Sequence, residues 1–393
     1  MSKGISAFDL VMPRQIAFGW GRRSELGILA NRLGDRALVV LGSRGLASSR
    51  LWPSVIAGLN ADGPQIVEVG TVSEEPTVSA VDRLLADVRA LPRGQRDVVV
   101  AIGGGSAIDT AKALAALLPQ GGTDSVADYL EGVGRGLKLE ADPLPILAVP
   151  TTAGTGSEAT RNAVISSYDP PFKKSLRSPQ LVPQVALVDP ELTTTSPPQI
   201  TAHSGIDAVT QLIESYISCR ATTVTRPLAL AALEGLDAAL LTAHETPDDR
   251  NARERMSQAA LISGVTLGNG GLGIAHGVAA ALGAVCGMTH GLACGVMLPV
   301  AIEINREIAH PDLARVGRAV TGRRLDDPSA VSALVDGIAR LLDRLGIPRR
   351  LSQHGVRREQ LSEIVRLSHG NSRNGNPREI SDGELLERLE ENL

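Results

Sequence analysis

The run Asp97-Val-Val-Val-Ala-Ile102 passes directly into Gly103-Gly-Gly-Ser106 and then into a stretch with Ile108, Ala111, Leu114, Ala115 and Leu118 at helical spacing. A short apolar run that stops at glycines and resumes with a 3.6-residue period reads as strand, tight turn and helix. That order is the core of a βαβ unit, so the chain is directed toward a parallel sheet covered by helices. The turn itself can carry chemistry. Backbone N–H groups at a helix start hold phosphate, and Gly103, Gly104 and Gly105 let the backbone come close to an anion. Ser106 can cap the helix or bond a phosphate oxygen. The pattern is neither a Walker A sequence nor a strict G-x-G-x-x-G fingerprint, and a tight turn without a ligand is the alternative.

Further strands repeat the arrangement. Arg36–Leu41 ends in the turn Gly42-Ser43-Arg44-Gly45, and a helix is expected over 49–60. A strand follows over 65–69 and a helix over 78–90, with Val81, Leu84, Leu85 and Val88 on one face. Pro145–Val149 leads into Pro150-Thr-Thr-Ala-Gly-Thr-Gly-Ser-Glu158, a polar loop at a strand's C-terminal end. In open α/β sheets that end is where ligands bind. A Thr/Ser-rich surface loop is the alternative, made less attractive by there being two such loops. Val185–Val188 and Asp189-Pro190 close this half.

Beyond Pro197-Pro198 the texture is helical, with helices expected over 204–218, 227–243, 250–267, 311–320, 330–345, 358–368 and 382–389. The expected organisation is an α/β domain over 1–189 and an all-helical domain over 190–393.

Composition narrows the function. Hydrophobic residues make 43% and charged residues 21% of the 393, ordinary for a globular protein with substantial cores. A net charge of −4 gives no basic footprint, and 2% aromatics give no base-stacking platform, so nucleic acid is not an expected partner. Three cysteines (Cys219, Cys286, Cys294) lack C-x-x-C spacing and suit a reducing compartment. Apolar stretches are interrupted before reaching ~18 residues, and the first residues show no apolar signal region. A cytoplasmic protein without a membrane span is expected.

Two of the seven histidines, His276 and His290, lie in the apolar, Gly-rich run 270–291. Burying an imidazole without partners costs free energy, so both need an explanation. They are either core histidines bonded to carbonyls or metal ligands awaiting donors from elsewhere. Asp207 and Gln211 stand four apart in a helical pattern with apolar neighbours, on one face, and can offer two groups to one ion. A solvated helix face is the alternative.

Taken together the chain resembles the iron-containing (group III) alcohol dehydrogenase family. The resemblance rests on Pro13–Gly21, Glu75-Pro76-Thr77, Gly103–Lys112, Pro150–Glu158, Asp189-Pro190, Gly205-Ile-Asp207-Ala, the histidine stretch and Asn374-Gly-Asn-Pro377, in that order across nearly the whole chain. It implies a Rossmann-like dinucleotide-binding domain followed by an all-α domain, an architecture shared with dehydroquinate synthase, with the active site between the two. It implies reversible hydride transfer between NAD(P) and a small-molecule alcohol or aldehyde. Gly104, Gly105, Ser106 and Asp109 would hold the pyrophosphate region, with Thr151, Thr152 and Thr155 near the phosphate and nicotinamide. Lys174 matches a lysine lining the cofactor site. A homodimer is the family's common habit.

The family's metal site uses an Asp and three His. Asp207, His276 and His290 fall on three of these positions, while Gln211 stands at the fourth and Ala280 replaces a histidine found near the nicotinamide in many members. Asp207, His276 and His290 are therefore the catalytic candidates, with Fe2+ or Zn2+ as the expected metal polarising the substrate oxygen. Without metal, His276 or His290 would donate the proton. After the first nucleotide-fold strand, Gly42-Ser43-Arg44 offers a hydroxyl and a guanidinium and no carboxylate, which favours NADP(H) over NAD(H). A solvated turn arginine is the alternative there. Three further readings compete: a metal-independent maleylacetate-reductase-type enzyme on a carboxylated substrate, a dehydroquinate synthase-like lyase, and a non-catalytic nucleotide-binding protein.

Overall fold

The computed structural model describes residues 7–393 except Ser43, Arg93, Thr123 and the side chain of Arg44. The chain forms two compact units, Val11–Pro197 and Pro198–Leu393, the latter joined by the described residues before Val11. The expected break at 189/190 thus moves to 197/198. The 3-10 turn Pro190–Thr195 still belongs to the first unit: Leu192 lies in its core, and buried Asp189 accepts from the backbone N–H of Gly21 and Arg23 and from the Arg23 guanidinium.

The first unit contains, in chain order, β1 (Gln15–Phe18), α1 (Leu26–Leu33), β2 (Arg36–Leu41), α2 (Arg44–Ala47), α3 (Trp52–Asn60), β3 (Gln65–Thr71), α4 (Val78–Arg89), β4 (Asp97–Gly103), α5 (Gly105–Leu117), β5 (Ile146–Pro150), β6 (Asn162–Tyr168), β7 (Pro171–Arg177) and β8 (Val185–Val188). Six strands make one sheet in the order β1-β8-β5-β4-β2-β3, with parallel pairings throughout. Alternate residues of the central strands feed opposite faces, as a two-residue period requires. Leu38, Val40, Val99 and Ala101 pack with α4 and α5, whereas Ala37, Val39, Val98, Val100 and Ile102 pack with α1 and α3. β6 and β7 form a separate antiparallel hairpin, and these strands, like β1, carry too little apolar alternation to stand out in sequence.

The second unit is helical: α6 (Pro198–Ile217), α7 (Thr225–Leu233), α8 (Leu236–Glu245), α9 (Arg250–Gly270), α10 (Ile274–Cys286), α11 (His290–Asn305), α12 (His310–Thr321), α13 (Asp327–Arg344), α14 (Leu361–Leu367) and α15 (Asp382–Glu391). Gly235, at φ +64°, breaks the helix expected over 227–243 into α7 and α8. The Gly-rich histidine stretch, which sequence periodicity leaves without an element, is the end of α9, all of α10 and the start of α11. Its small residues permit close helix packing instead of preventing helix formation: a Cβ at Gly291 would meet the His203 carbonyl at 2.1 Å. Among the described residues no single helix is long and apolar enough to cross a membrane.

Candidate active site

In the first unit the strand order reverses between β2 and β4, and the C-terminal ends of strands at such a reversal are where open α/β sheets bind ligands. Gly42 and Gly103 meet there so closely that a Cβ on Gly103 would stand 2.7 Å from the Gly42 Cα. The Gly42 N–H donates to the Ile102 carbonyl at 2.7 Å, fixing the approach. Gly104 is the N-cap of α5, and no side-chain bond caps it. Ala107 N–H and Ile108 N–H turn back to the Gly104 carbonyl, so the N–H groups of Gly105 and Ser106 are those placed to meet an anion, supported by the helix dipole. The loop after β5 completes this corner. Thr151 N–H donates to the Gly103 carbonyl, the Thr152 side chain lies against Gly104, and a Cβ on Gly105 would meet the Thr155 side chain at 2.8 Å.

Beneath the loop a buried cation fastens it. The Lys112 ammonium, fully buried on α5, donates to the carbonyls of Ser157, Thr160 and Asn162 and to the Thr160 hydroxyl at 2.6–3.0 Å. Burial lowers its pKa to about 8, opposed by nearby Asp109 and Glu158, and burial lifts Glu158 to about 7. Asp109, expected beside the pyrophosphate, is instead turned inward. Its Oδ1 accepts from the Ser157 hydroxyl and its Oδ2 from the Val164 N–H, so it clamps α5 to the loop and β6. An inward carboxylate also spares an anion at the helix start from like-charge repulsion.

The second unit assembles its site from three helices. Asp207, Gln211 and Glu214 occupy one buried face of α6 at i, i+4 and i+7. His276 lies in the first turn of α10 and His290 begins α11. His276 Nε2 stands 3.3 Å from Asp207 Oδ1, and His290 Nε2 stands 4.0 Å from the same oxygen. Cys294, one turn after His290, brings its Sγ to 3.7 Å from His290 Nε2. One ligand atom from each of Asp207, His276, His290 and Cys294 lies within 4.8 Å of every other.

Glu214 sets the orientation of this cluster. Its carboxylate accepts from the His276 Nδ1–H at 2.7 Å and from the backbone N–H groups of Gly273, Ala275 and His276, which also caps α10. Asn376, in the family-like tail, accepts from the Ile274 N–H beside it. With Nδ1 bonded to a carboxylate, Nε2 of a neutral His276 presents a lone pair to the Asp207 oxygen. Two acceptors face each other at that contact, so it needs a proton or a cation. Burial works against an imidazolium, yet Cys294, Asp207 and Glu214 hold His276 above its ordinary pKa. Burial likewise opposes the Asp207 carboxylate, but His290, His276 and Cys294 outweigh it and hold Asp207 low. Burial pushes the Cys294 thiol up to about 12. The donor set fits a divalent cation: one carboxylate, two imidazoles and a sulfur, desolvated and already oriented.

The expected residues divide accordingly. Gly42, Gly103, Gly104, Gly105, Thr151, Thr152 and Thr155 gather at one corner, and Asp207, His276 and His290 gather at another. Ser106 does not cap α5; it lies within the first turn, where its carbonyl accepts from Thr110. Lys174 is on β7 next to Lys173, whose ammonium bonds Glu75 at 2.7 Å. Adjacent strand residues face opposite ways, so Lys174 lies on the other side of the hairpin. Ser43 and the Arg44 side chain lie outside the described residues. Gln211, expected as a doubtful ligand, uses both ends of its amide elsewhere: Nε2 donates to Asp207 Oδ2 at 3.1 Å and Oε1 accepts from Ser263. It positions Asp207. Sequence reasoning missed Glu214 and Cys294, though both carried a signal: Glu214 extends the Asp207–Gln211 face by one turn, and Cys294 sits at i+4 from His290.

Comparison with known proteins follows the same division. Residues 13–190 match the family model described as iron-containing alcohol dehydrogenase, and residues 201–393 match the model of the Fe-containing alcohol dehydrogenase family C-terminal region. The NADPH-dependent butanol dehydrogenase of Clostridium saccharobutylicum is 30% identical over 95% of this chain and 95% of its own length. The NAD-dependent methanol dehydrogenase of Bacillus methanolicus is 30% identical over 91% of this chain and 92% of its own. A solved 1,3-propanediol oxidoreductase superposes with a TM-score of 0.89 at 29% identity, covering 99% of this chain and 100% of that one. With both halves of the chain matched and the two corners built as described, the protein belongs to the iron-containing alcohol dehydrogenase family and is an NAD(P)-dependent alcohol dehydrogenase or aldehyde reductase.

Proposed function

We propose that the reaction runs over a divalent cation held by Asp207, His276 and His290, with NADP(H) as the favoured hydride carrier and a small alcohol or aldehyde as substrate. The observation that carries this reading is the convergence of Asp207 Oδ1, His276 Nε2 and His290 Nε2 on one point, with His276 Nδ1–H fixed by Glu214. When bound, the cation supplies Lewis-acid polarisation of the substrate oxygen, and the nicotinamide supplies the hydride chemistry. The protein's own work is positional. Glu214 holds the His276 tautomer, Gln211 holds Asp207 Oδ2, and the start of α5 receives the pyrophosphate on backbone N–H groups. The side chain of His290 is 29% exposed against 3% or less for His276 and Asp207, so the open side of the cluster is at His290.

The cofactor preference rests on the sequence Gly42-Ser43-Arg44, which has a guanidinium suited to a 2′-phosphate and no acid for a ribose hydroxyl. The test is metal analysis of the purified protein together with an aldehyde panel assayed with both cofactors. Roughly one equivalent of iron or zinc is expected, with a higher kcat/KM for NADPH. Full turnover in metal-free protein would overturn the metal and leave a metal-independent reductase. A clear NADH preference would overturn the cofactor assignment.

A further inference from the structure

We propose that Cys294 is the fourth metal ligand of this chain, so that the centre is a thiolate site of one carboxylate, two imidazoles and one sulfur. The proposal rests on the reading of Asp207, His276 and His290 as metal ligands and adds a ligand to it. At the family-like fourth position, Gln211 faces Asp207 with its amide nitrogen, which donates to Oδ2 and has no lone pair for a metal, while its amide oxygen is taken by the Ser263 hydroxyl. The vacancy is filled from a different helix. Cys294 follows His290 by one turn on α11, which puts both side chains on the same face.

Distances support the substitution. Zinc bonds of ~2.0–2.2 Å to nitrogen and oxygen and ~2.3 Å to sulfur set separations of roughly 3.3–3.6 Å between four near-tetrahedral ligands, and the substrate oxygen would enter as a fifth. The observed separations are 3.3 Å for His276 with Asp207, 3.7 Å for Cys294 with His290 and 4.0 Å for His290 with Asp207. A buried cysteine is ordinarily a small hydrophobe packed among apolar groups. This one, fully buried, has a carboxylate and two imidazoles within 4.8 Å. The other two cysteines, Cys219 and Cys286, are exposed and half-buried and have no place in the cluster.

Coordination forms the metal–sulfur bond and releases the thiol proton to solvent, with no change of oxidation state. A thiolate favours zinc or cobalt over magnesium or manganese. Together with Asp207 it neutralises the divalent charge, so the centre is a softer Lewis acid than one built on imidazole at that position.

The test uses the full-length protein stripped of metal and refilled anaerobically with Co(II). The expected result is roughly one equivalent of cobalt and a near-ultraviolet thiolate-to-cobalt charge-transfer absorption. Cys294→Ser and Cys294→Ala should abolish that absorption and weaken binding by at least the roughly 10- to 100-fold seen on loss of an outer-shell partner. Cys219→Ser and Cys286→Ser should leave it unchanged. X-ray absorption of the zinc-loaded wild type, showing one sulfur in the zinc shell, gives the same answer without any variant. Stoichiometric cobalt without the charge-transfer absorption, or a zinc shell of nitrogen and oxygen alone, would overturn the thiolate ligand and leave the three-ligand reading standing. No bound metal at all would overturn both.

Discussion

At the ends of β2, β4 and β5 the chain presents backbone, whereas on α6, α10 and α11 it presents side chains. The first corner depends on what is missing: no Cβ at Gly42, Gly103 or Gly105, and no side-chain cap on α5. Its charged groups, Lys112, Asp109 and Glu158, are buried behind the loop, which Lys112 and Asp109 fasten. The second corner depends on what is present: four ligand atoms within 4.8 Å of one another, oriented by Glu214 and Gln211. A backbone site fails when volume is added to it, and a side-chain site fails when atoms are removed.

Two substitutions separate these failures. His276→Ala deletes a ligand without adding volume. Lewis-acid stabilisation is worth several kcal/mol, so kcat should fall on the order of 10³-fold. Metal content should drop with it, while the dissociation constant for NADP(H) stays at the wild-type value. Gly105→Val should do the reverse. Its Cβ would begin 2.8 Å from the Thr155 side chain, so α5 and the Thr155 loop must part. Overpacking of that kind is worth ~1–3 kcal/mol, which is roughly 10- to 100-fold in nucleotide affinity. Calorimetry with NADPH and metal analysis on both variants decide the matter. Nucleotide binding lost in His276→Ala, or metal lost in Gly105→Val, would break the comparison.

The same difference explains what sequence could reveal. The backbone corner is local: strand, glycines and helix follow one another, so Gly103–Gly105 and the threonine loop are readable as a unit, and their apposition follows from parallel neighbours β4 and β5. Within it, the inward turn of Asp109 was hidden, because a carboxylate beside a glycine turn looks the same whether it faces ligand or core. The side-chain corner joins α6 to α10 and α11, and no short-range pattern specifies which helix faces will meet. His276 and His290 are conspicuous as imidazoles in an apolar run, and Asp207 as an acid among apolar neighbours. Glu214 and Cys294 were not, because a glutamate or a cysteine on a helix acquires its role only from what packs opposite. Helix α10 itself was obscured by glycine and alanine, whose low side-chain volume lets helices approach closely while weakening the apolar period.

The smallest expected effect concerns the charges buried behind the loop, and it is one of stability and pH. Burial lowers Lys112 to about 8 from an ordinary 10.5, so its contribution is fully present above 10.5 and is lost as pH falls through 8. Glu158 has the opposite sense. Burial raises it to about 7 from 4.5, so its contribution is fully present below 4.5 and is lost as pH rises through 7. The unit Val11–Pro197 should therefore pass through a shallow stability minimum between pH 7 and 8. Each limb is worth on the order of a few kcal/mol at most, a shift of several degrees in Tm. Lys112→Met should flatten the alkaline limb and Glu158→Gln the acid limb, read as the difference in Tm from wild type across the pH range. Lys112→Met should also lower Tm throughout, because the loop carbonyls of Ser157, Thr160 and Asn162 lose their shared donor. A wild-type Tm that does not rise from pH 8 to 10.5 relative to Lys112→Met would mean that the ammonium is solvated, and the loop after β5 would then need another fastener.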